Sequence, residues 1–286
     1  MMKLAVKVTD IYYPKATEKG NWYAINTDCG RASGKMAWRP EPGELLILDG
    51  KYGVYKGSRC FDFTSAMPNV PIDPRAQLKY VADRTKGIGP KLEQEIWDAK
   101  GSEWASVTQE DVKGLRSDIL AAMRQSITEL SLEAEKSNVI SWLISKTATI
   151  NMGAAAWEEW KNQTINIVST NPYRLADLPH YGFNHVDGSI AAAFGITEDD
   201  PRRIKACILY CIGQHTSQGD TIISWPDLLQ SCLSKTGGQY RKLISESVTE
   251  MFVSGDLKGF SGTQNIALKS DYENEKMIWE FLGKVN

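Results

Sequence analysis

The chain has 286 residues, 42% hydrophobic and 24% charged, which accommodates two or more compact units and excludes a disordered or fibrous protein. A net charge of −2 at pH 7 and a pI near 6.0 exclude the global basic excess of many nucleic-acid binders, so any nucleic-acid contact has to be local. No apolar run approaches the roughly 18 residues of a membrane span, the opening "MMKLAVKVTD" has too short an apolar stretch for a signal peptide, and the five scattered cysteines (Cys29, Cys60, Cys207, Cys211, Cys232) do not look like a secreted disulfide framework. A cytoplasmic protein with reduced thiols is expected. Nine tryptophans are many for this length, yet tryptophan fills cores as readily as it stacks on bases.

From Lys3 to about Asn69 the pattern is of short β-type runs between turn signals: "LAVKVTDIYY", "NWYAINTD", "GKMAWRP", "ELLILDGKYGVY" and "SRCFDFTSAM". Five such strands with glycines at the corners predict a small OB-like β-barrel over residues 1–74. Its exposed aromatics, with Trp22, Tyr23, Trp38 and Tyr55 as candidates, would suit stacking on single-stranded bases. "GRASGKM" (Gly30 to Met36) imitates a nucleotide-binding P-loop but has three residues between its glycines where four are needed, and Met36 replaces the Mg²⁺-binding hydroxyl residue. No other stretch fits a P-loop, and ATP hydrolysis by this chain is not expected.

Near Pro71 the periodicity turns helical, predicting a helix-hairpin-helix pair over 75–134 and a second over 135–199. In "TKGIGPKLEQEI" the spacing of Gly87, Ile88 and Gly89 suits a hairpin whose isoleucine anchors the core while its glycines let a ligand approach the backbone. Pro90 fits the first helical turn, whose remaining N–H groups lack intrahelical partners; with Lys86 and Lys91 they would face an anion, naturally a DNA phosphate. An internal repeat relates Tyr80–Gly101 to Trp142–Gln163, each followed by a second turn-to-helix unit. In the three other hairpins glycine is lost: to Arg116 in "VKGLRSDI", to Thr149 and Asn151 in "TINMGA", and to His180 in "LPHYGFN". These read as packing hairpins, with Arg116, Gly182, Asn184 and His185 as secondary candidates for DNA contact. Asp111, the one aspartate near the position of a glycosylase base, reads instead as a cap or first-turn residue at a helix start. Nothing assembles a nucleophile, a base and an electrophile, so no catalytic residue is expected.

From Asp200 the order is helix, short strand, helix, helix and strand pair, predicting a winged-helix-like segment over 200–286 that finishes in an amphipathic helix. Cys207, Cys211 and His215 fall on one helix face. At about 1.5 Å per residue the outer two lie roughly 12 Å apart, too far to share one ion. No metal and no cofactor are expected.

The succession of a β-barrel, "YGVYKGSRCFDF", "KGIGPKL", "NPYRLADLPHYGF", "PRRIKACILY" and "NIALKSDYENEKMI" resembles the N-terminal region of RecD-like superfamily-one DNA helicases, over nearly the whole chain. "KGIGPKL" is shared by many DNA-repair proteins, whereas "NPYRL" followed by a Gly-Phe turn and "DDPRRI" is more specific. The resemblance implies an OB-like domain, tandem helix-hairpin-helix modules and a winged-helix-like segment preceding a 5′-to-3′ ATPase motor, which is absent from this sequence. The sequence departs from the family at His180 and Asp220 and by one extra residue after Phe183. The expectation is therefore a non-catalytic, sequence-independent DNA-binding module of repair, recombination or replication. Its DNA would be single-stranded or a junction, and its location the nucleoid or, for a viral protein, the host cytoplasm. It is either a helicase fragment or a complete accessory protein. The alternative is an adaptor that docks on a helicase motor, nuclease or repair factor.

Overall fold

The computed structural model describes residues 2–14, 22–36, 38–55 and 57–285, with side chains described through Phe281. Asn21 and Ala37, inside two of the expected strands, lie outside the described residues. The chain divides into two compact units, Met1–Ile165 and Asn166–Asn286.

The first unit opens with five strands, β1 (Met2–Tyr13), β2 (Trp22–Thr27), β3 (Gly30–Lys35), β4 (Leu45–Tyr55) and β5 (Ser58–Pro68). They close a barrel in the order β1-β2-β3-β5-β4, with β1 paired to β4 and the single parallel pair, Ala32 opposite Phe61, joining β3 to β5. This is the OB-like arrangement the sequence predicts. Alternate residues turn inward, so Val6, Val8, Ile25, Leu46, Leu48, Phe61 and Phe63 build one core. The third strand is earlier than expected: it is the P-loop look-alike "GRASGK", and "GKMAWRP" contributes only its first two residues. Its small residues carry little β propensity but are required where β3 meets β5. A Cβ on Gly34 would lie 1.9 Å from the Phe63 carbonyl oxygen.

Helices α1 (Pro74–Arg84), α2 (Pro90–Lys100), α3 (Ser117–Ser145) and α4 (Ile150–Trp160) follow, and α5 (Thr164–Thr170) leads into the second unit. Asp73 caps α1 by accepting from the Ala76 N–H, and prolines begin α1 and α2 where no N–H is needed. α3 is one continuous helix that runs back onto the barrel. There the Lys136 ammonium lies 3.5 Å from the ring centroid of Trp38 and 2.8 Å from Glu158 of α4. Beside them Glu44 is buried and accepts from the Trp38 indole N–H (2.9 Å) and the Glu41 N–H (3.0 Å); its burial pushes the carboxyl up to about 7. Asp111 does not start a helix. It closes a loop, accepting from the Thr108 N–H and hydroxyl (2.9 and 2.8 Å) and pairing with Lys100 at 3.0 Å, because the chain stays irregular until Ser117.

The second unit continues with α6 (Phe183–Ser189), α7 (Pro201–Thr216), β6 (Ile223–Ser224), α8 (Trp225–Thr236), α9 (Arg241–Ser254), β7 (Leu257–Gly259), β8 (Asn265–Leu268) and α10 (Lys269–Val285). The three strands pair antiparallel in the order β6-β8-β7, which together with the helix order gives the winged-helix-like arrangement. Ile204, Ile208 and Ile212 recur down one face of α7 and are fully buried, as are Leu228 and Ile244. Among the described residues, no helix is long and apolar enough to cross a membrane.

Candidate nucleic-acid interface

The first hairpin turn runs from Thr85 to Gly89. Thr85 ends α1, donating its N–H and its hydroxyl to the Val81 carbonyl (3.0 and 2.8 Å), and accepts the Ile88 N–H at 3.2 Å. Gly87 adopts φ +102°, which turns the chain, and Ile88 drops into the core formed by Leu78, Val81, Ile96, Val112 and Leu115. Gly89 is the N-cap of α2; no side chain caps the helix and a Cβ there would meet nothing within 4 Å. The N–H groups of Lys91 and Leu92 lie in the first turn, where an α-helix supplies no partner of its own. Lys86 and Lys91 are exposed, and the Lys91 ammonium reaches Glu95 only at 3.9 Å.

The second turn resembles the first in its hydrogen bond and buried anchor, although Gly114, unlike Gly87, does not take a positive φ. Lys113-Gly114-Leu115-Arg116 parallels Lys86-Gly87-Ile88-Gly89: the Leu115 N–H donates to the Val112 carbonyl at 3.0 Å, Leu115 is buried, and α3 begins without a side-chain cap. The two turns are interlocked by their glycines. A Cβ on Gly87 would lie 3.0 Å from Ile119, the third residue of α3, and one on Gly114 would lie 3.1 Å from Leu92, the third residue of α2. Each glycine thus admits the first turn of the other hairpin's helix, setting the starts of α2 and α3 side by side. Arg116 is exposed, but its guanidinium is engaged by Asp118 through two bonds (3.2 and 3.0 Å). Lys113, exposed at the position equivalent to Lys86, was overlooked in the sequence; the repeated Lys-Gly-apolar triplet was the signal for it.

At the third turn the expected alignment slips. Thr147 (φ +65°), buried Ala148 and the N-cap Thr149 occupy the positions of Gly87, Ile88 and Gly89, while Ile150 and Asn151 already belong to α4. The pairing of Ile150 with Ile88 fails by two residues: α3 ends at Ser145, one residue earlier than the expected match of Thr147 with Thr85 requires, and the turn that follows is one residue shorter. The repeat persists with its register moved by two residues from the expected Tyr80–Gly101 and Trp142–Gln163 pairing, relating Gly87–Gly101 to Thr147–Lys161: α2 and α4 are both 11 residues, Trp97 and Trp157 fall at the same step, and both helices stop on the same unusual conformation, φ 55° ψ −126° at Gly101 and φ 49° ψ −130° at Lys161. The Thr149 side chain accepts from the Met152 N–H at 3.2 Å, occupying a first-turn donor that α2 leaves open.

The fourth turn, in the second unit, has the shape of the first. The Tyr181 N–H donates to the Leu178 carbonyl at 3.2 Å, His180 takes φ +70° in place of Gly87, and Gly182 caps α6 with ψ 175°, the value at Gly89. Its neighbours are engaged in packing. The Asn184 amide donates to the Tyr210 hydroxyl at 3.2 Å, and the His185 ring lies 5.6 Å edge-on to Tyr181. The "NPYRL" and "DDPRRI" motifs anchor this turn: Phe183 lies between Tyr173 and Tyr210 at 5.6 Å from each, the Tyr173 hydroxyl donates to Asp187 at 2.6 Å, and Arg203 clasps the same carboxylate at 2.8 and 2.9 Å. Asp200 caps α7 and holds Arg202, whose guanidinium keeps that carboxyl below the ordinary aspartate range.

On the barrel, Trp22 and Tyr55 are exposed, whereas Tyr23 is buried in the core and cannot offer a face for stacking, since β2 turns it inward. Trp38 is half-buried beneath Lys136. Tyr12 and Tyr13, which the sequence reading did not single out, are exposed; Arg31 lies 4.8 Å over Tyr12, and Tyr13 packs 6.0 Å from Trp22.

Residues 133–222 match the family of the ATP-dependent RecD2 DNA helicase HHH domain. That span covers the third and fourth turns and all of α7, and is similar to the helicase's helix-hairpin-helix part, not its ATPase motor. The first two turns lie outside it. A RecD2-like helix-hairpin-helix domain is thus combined in this chain with an N-terminal OB-like barrel.

Proposed function

We propose that the chain is a non-catalytic, sequence-independent DNA-binding module, resembling the N-terminal part of a RecD-like 5′-to-3′ helicase, that grips the phosphate backbone with its first two hairpin turns. The observation that carries this reading is the interlock of Gly87 and Gly114, which sets the starts of α2 and α3 side by side, that of α2 uncapped and that of α3 carrying the Asp118 carboxylate against the Ile119 N–H, with Lys86, Lys91 and Lys113 exposed around them. Anions bind at such donors, and contacts confined to phosphates carry no base information. Gly87, Ile88, Gly89, Pro90 and Lys91 are the main contact segment; Arg116, Gly182, Asn184 and His185 contribute less, because their side chains or surroundings are engaged elsewhere. Tyr12, Tyr13 and Trp22 are the better candidates for stacking a single-stranded segment.

The test is binding of fluorescent single-stranded and junction DNA at several salt concentrations. Wild type should bind at low salt with an affinity that falls as salt rises. Gly89→Glu, which puts a carboxylate into the open space at the α2 cap, should weaken binding at least about tenfold; Lys91→Glu should also lower the salt slope by about 1. No binding at low salt, or equal binding by both variants, refutes the phosphate grip.

A second reading, an adaptor for a helicase motor, nuclease or repair factor, is favoured by one feature: α10 exposes Met277, Ile278, Trp279 and Phe281. Recovery of a defined protein complex by a chain with no DNA affinity would decide for it.

A further inference from the structure

The winged-helix-like segment contains a cluster that no DNA-binding role uses. Cys207 and Cys211 stand one turn apart on α7, and α8 brings Cys232 against them, so that the three sulfurs all lie within 4.8 Å of one another. All three residues are buried. His215, the third ligand that spacing along α7 suggested and distance ruled out, is replaced by a thiol from the neighbouring helix. A single-helix pattern could not supply that residue.

Tetrahedral coordination with metal–sulfur bonds near 2.3 Å places sulfurs about 3.8 Å apart, so the cluster needs a contraction of no more than about 1 Å to hold one ion. A set of thiols without carboxylates selects borderline-soft and soft metals over magnesium or calcium. A divalent ion with three thiolates carries one net negative charge. Lys235, whose ammonium lies 4.9 Å over the Tyr210 ring, acts on Cys211 with its positive charge. A cleft of about 270 Å³ lined by Tyr210, Cys211, His215, Asp227 and Lys235 lies beside the cluster and includes Cys211 in its wall.

We propose that Cys207, Cys211 and Cys232 form a three-thiolate site for a divalent metal ion of the zinc class, which staples α7 to α8. Binding replaces the three thiol protons by one metal ion. The site is independent of DNA contact at the hairpin turns, and it stabilises the winged-helix-like segment because the unfolded chain does not hold the three sulfurs together.

The experiment uses the full chain, reduced and stripped of metal, titrated with Co²⁺ and then Zn²⁺. One equivalent of Co²⁺ should give a sulfur-to-cobalt charge-transfer band with the intensity of three thiolates, which Zn²⁺ removes. Zn²⁺ should raise the Tm of the wild type, and a chelator should reverse the shift. Cys232→Ser should lose the band and weaken Co²⁺ binding by more than the roughly tenfold to hundredfold typical of outer-shell loss, while Cys29→Ser and Cys60→Ser keep both. Should Cys232→Ser fail to fold, the thiolate count and Tm shift of the wild type decide. The proposal is overturned if the reduced wild type gives no charge-transfer band, if the band persists in folded Cys232→Ser, or if mass analysis finds a disulfide among these three cysteines that excludes the metal.

Discussion

The turn at Thr85–Gly89 and the turn at Leu178–Gly182 have a similar backbone and different surroundings. Both close with a 3.2 Å hydrogen bond, both turn through a positive φ at the third residue, and both end on a glycine cap with ψ 175°. In the first, the turning residue is Gly87, pressed against Ile119 of the neighbouring hairpin, and the helix it opens has 11 residues. In the other it is His180, the helix has seven residues, and the turn is fixed by Tyr173, Asp187 and Arg203. The shape of a hairpin turn is therefore a local property, while its use depends on what holds it. The first turn leaves the start of α2 without a side-chain cap and with open space at Gly89, whereas the fourth turn is embedded in aromatic and ionic contacts.

The largest expected effect tests the support of the fourth turn. Asp187→Ala leaves the Arg203 guanidinium and Tyr173 hydroxyl without their carboxylate in a largely buried site, and should destabilise the protein by about 3 kcal/mol. A shift of the urea midpoint no larger than that of a surface control would mean that packing alone fixes this turn. Gly87→Ala tests the first turn: its Cβ would meet Ile119 at 3.0 Å from a backbone at φ +102°, so about 2 kcal/mol should be lost. Unchanged stability there would show that the interlock of the two hairpins yields easily. The smallest effect is His180→Gly, which removes a side chain from φ +70° and should raise the urea midpoint by the equivalent of about 0.5 kcal/mol, strain relief being partly offset by unfolded-chain entropy. A marked loss would mean that the His180 side chain holds the fourth turn.

Much of this architecture was legible in the sequence. Period-two runs gave the barrel, Pro90 gave the start of α2, and the alternation of helices and short strands after Asp200 gave the winged-helix-like order. The strand at Gly30–Lys35 was missed because its small residues answer to a close neighbouring strand and not to propensity. The slip at the third turn arose because Ile150 resembles Ile88, although the anchor there is the smaller Ala148. Lys113 was legible as a repeat and passed over.

Periodicity, proline placement and turn chemistry act between near neighbours in the chain, so the sequence alone determined the element order, the OB-like barrel and the hairpin at Gly87–Gly89. Which residues meet across elements depends on packing. Only the tertiary structure decided that Gly87 and Gly114 admit each other's helices, that Tyr23 faces the core while Tyr12 and Tyr13 face outward, and that Cys232 joins Cys207 and Cys211. Contacts between residues tens of positions apart follow from the docking of whole helices and strands, which no local pattern encodes.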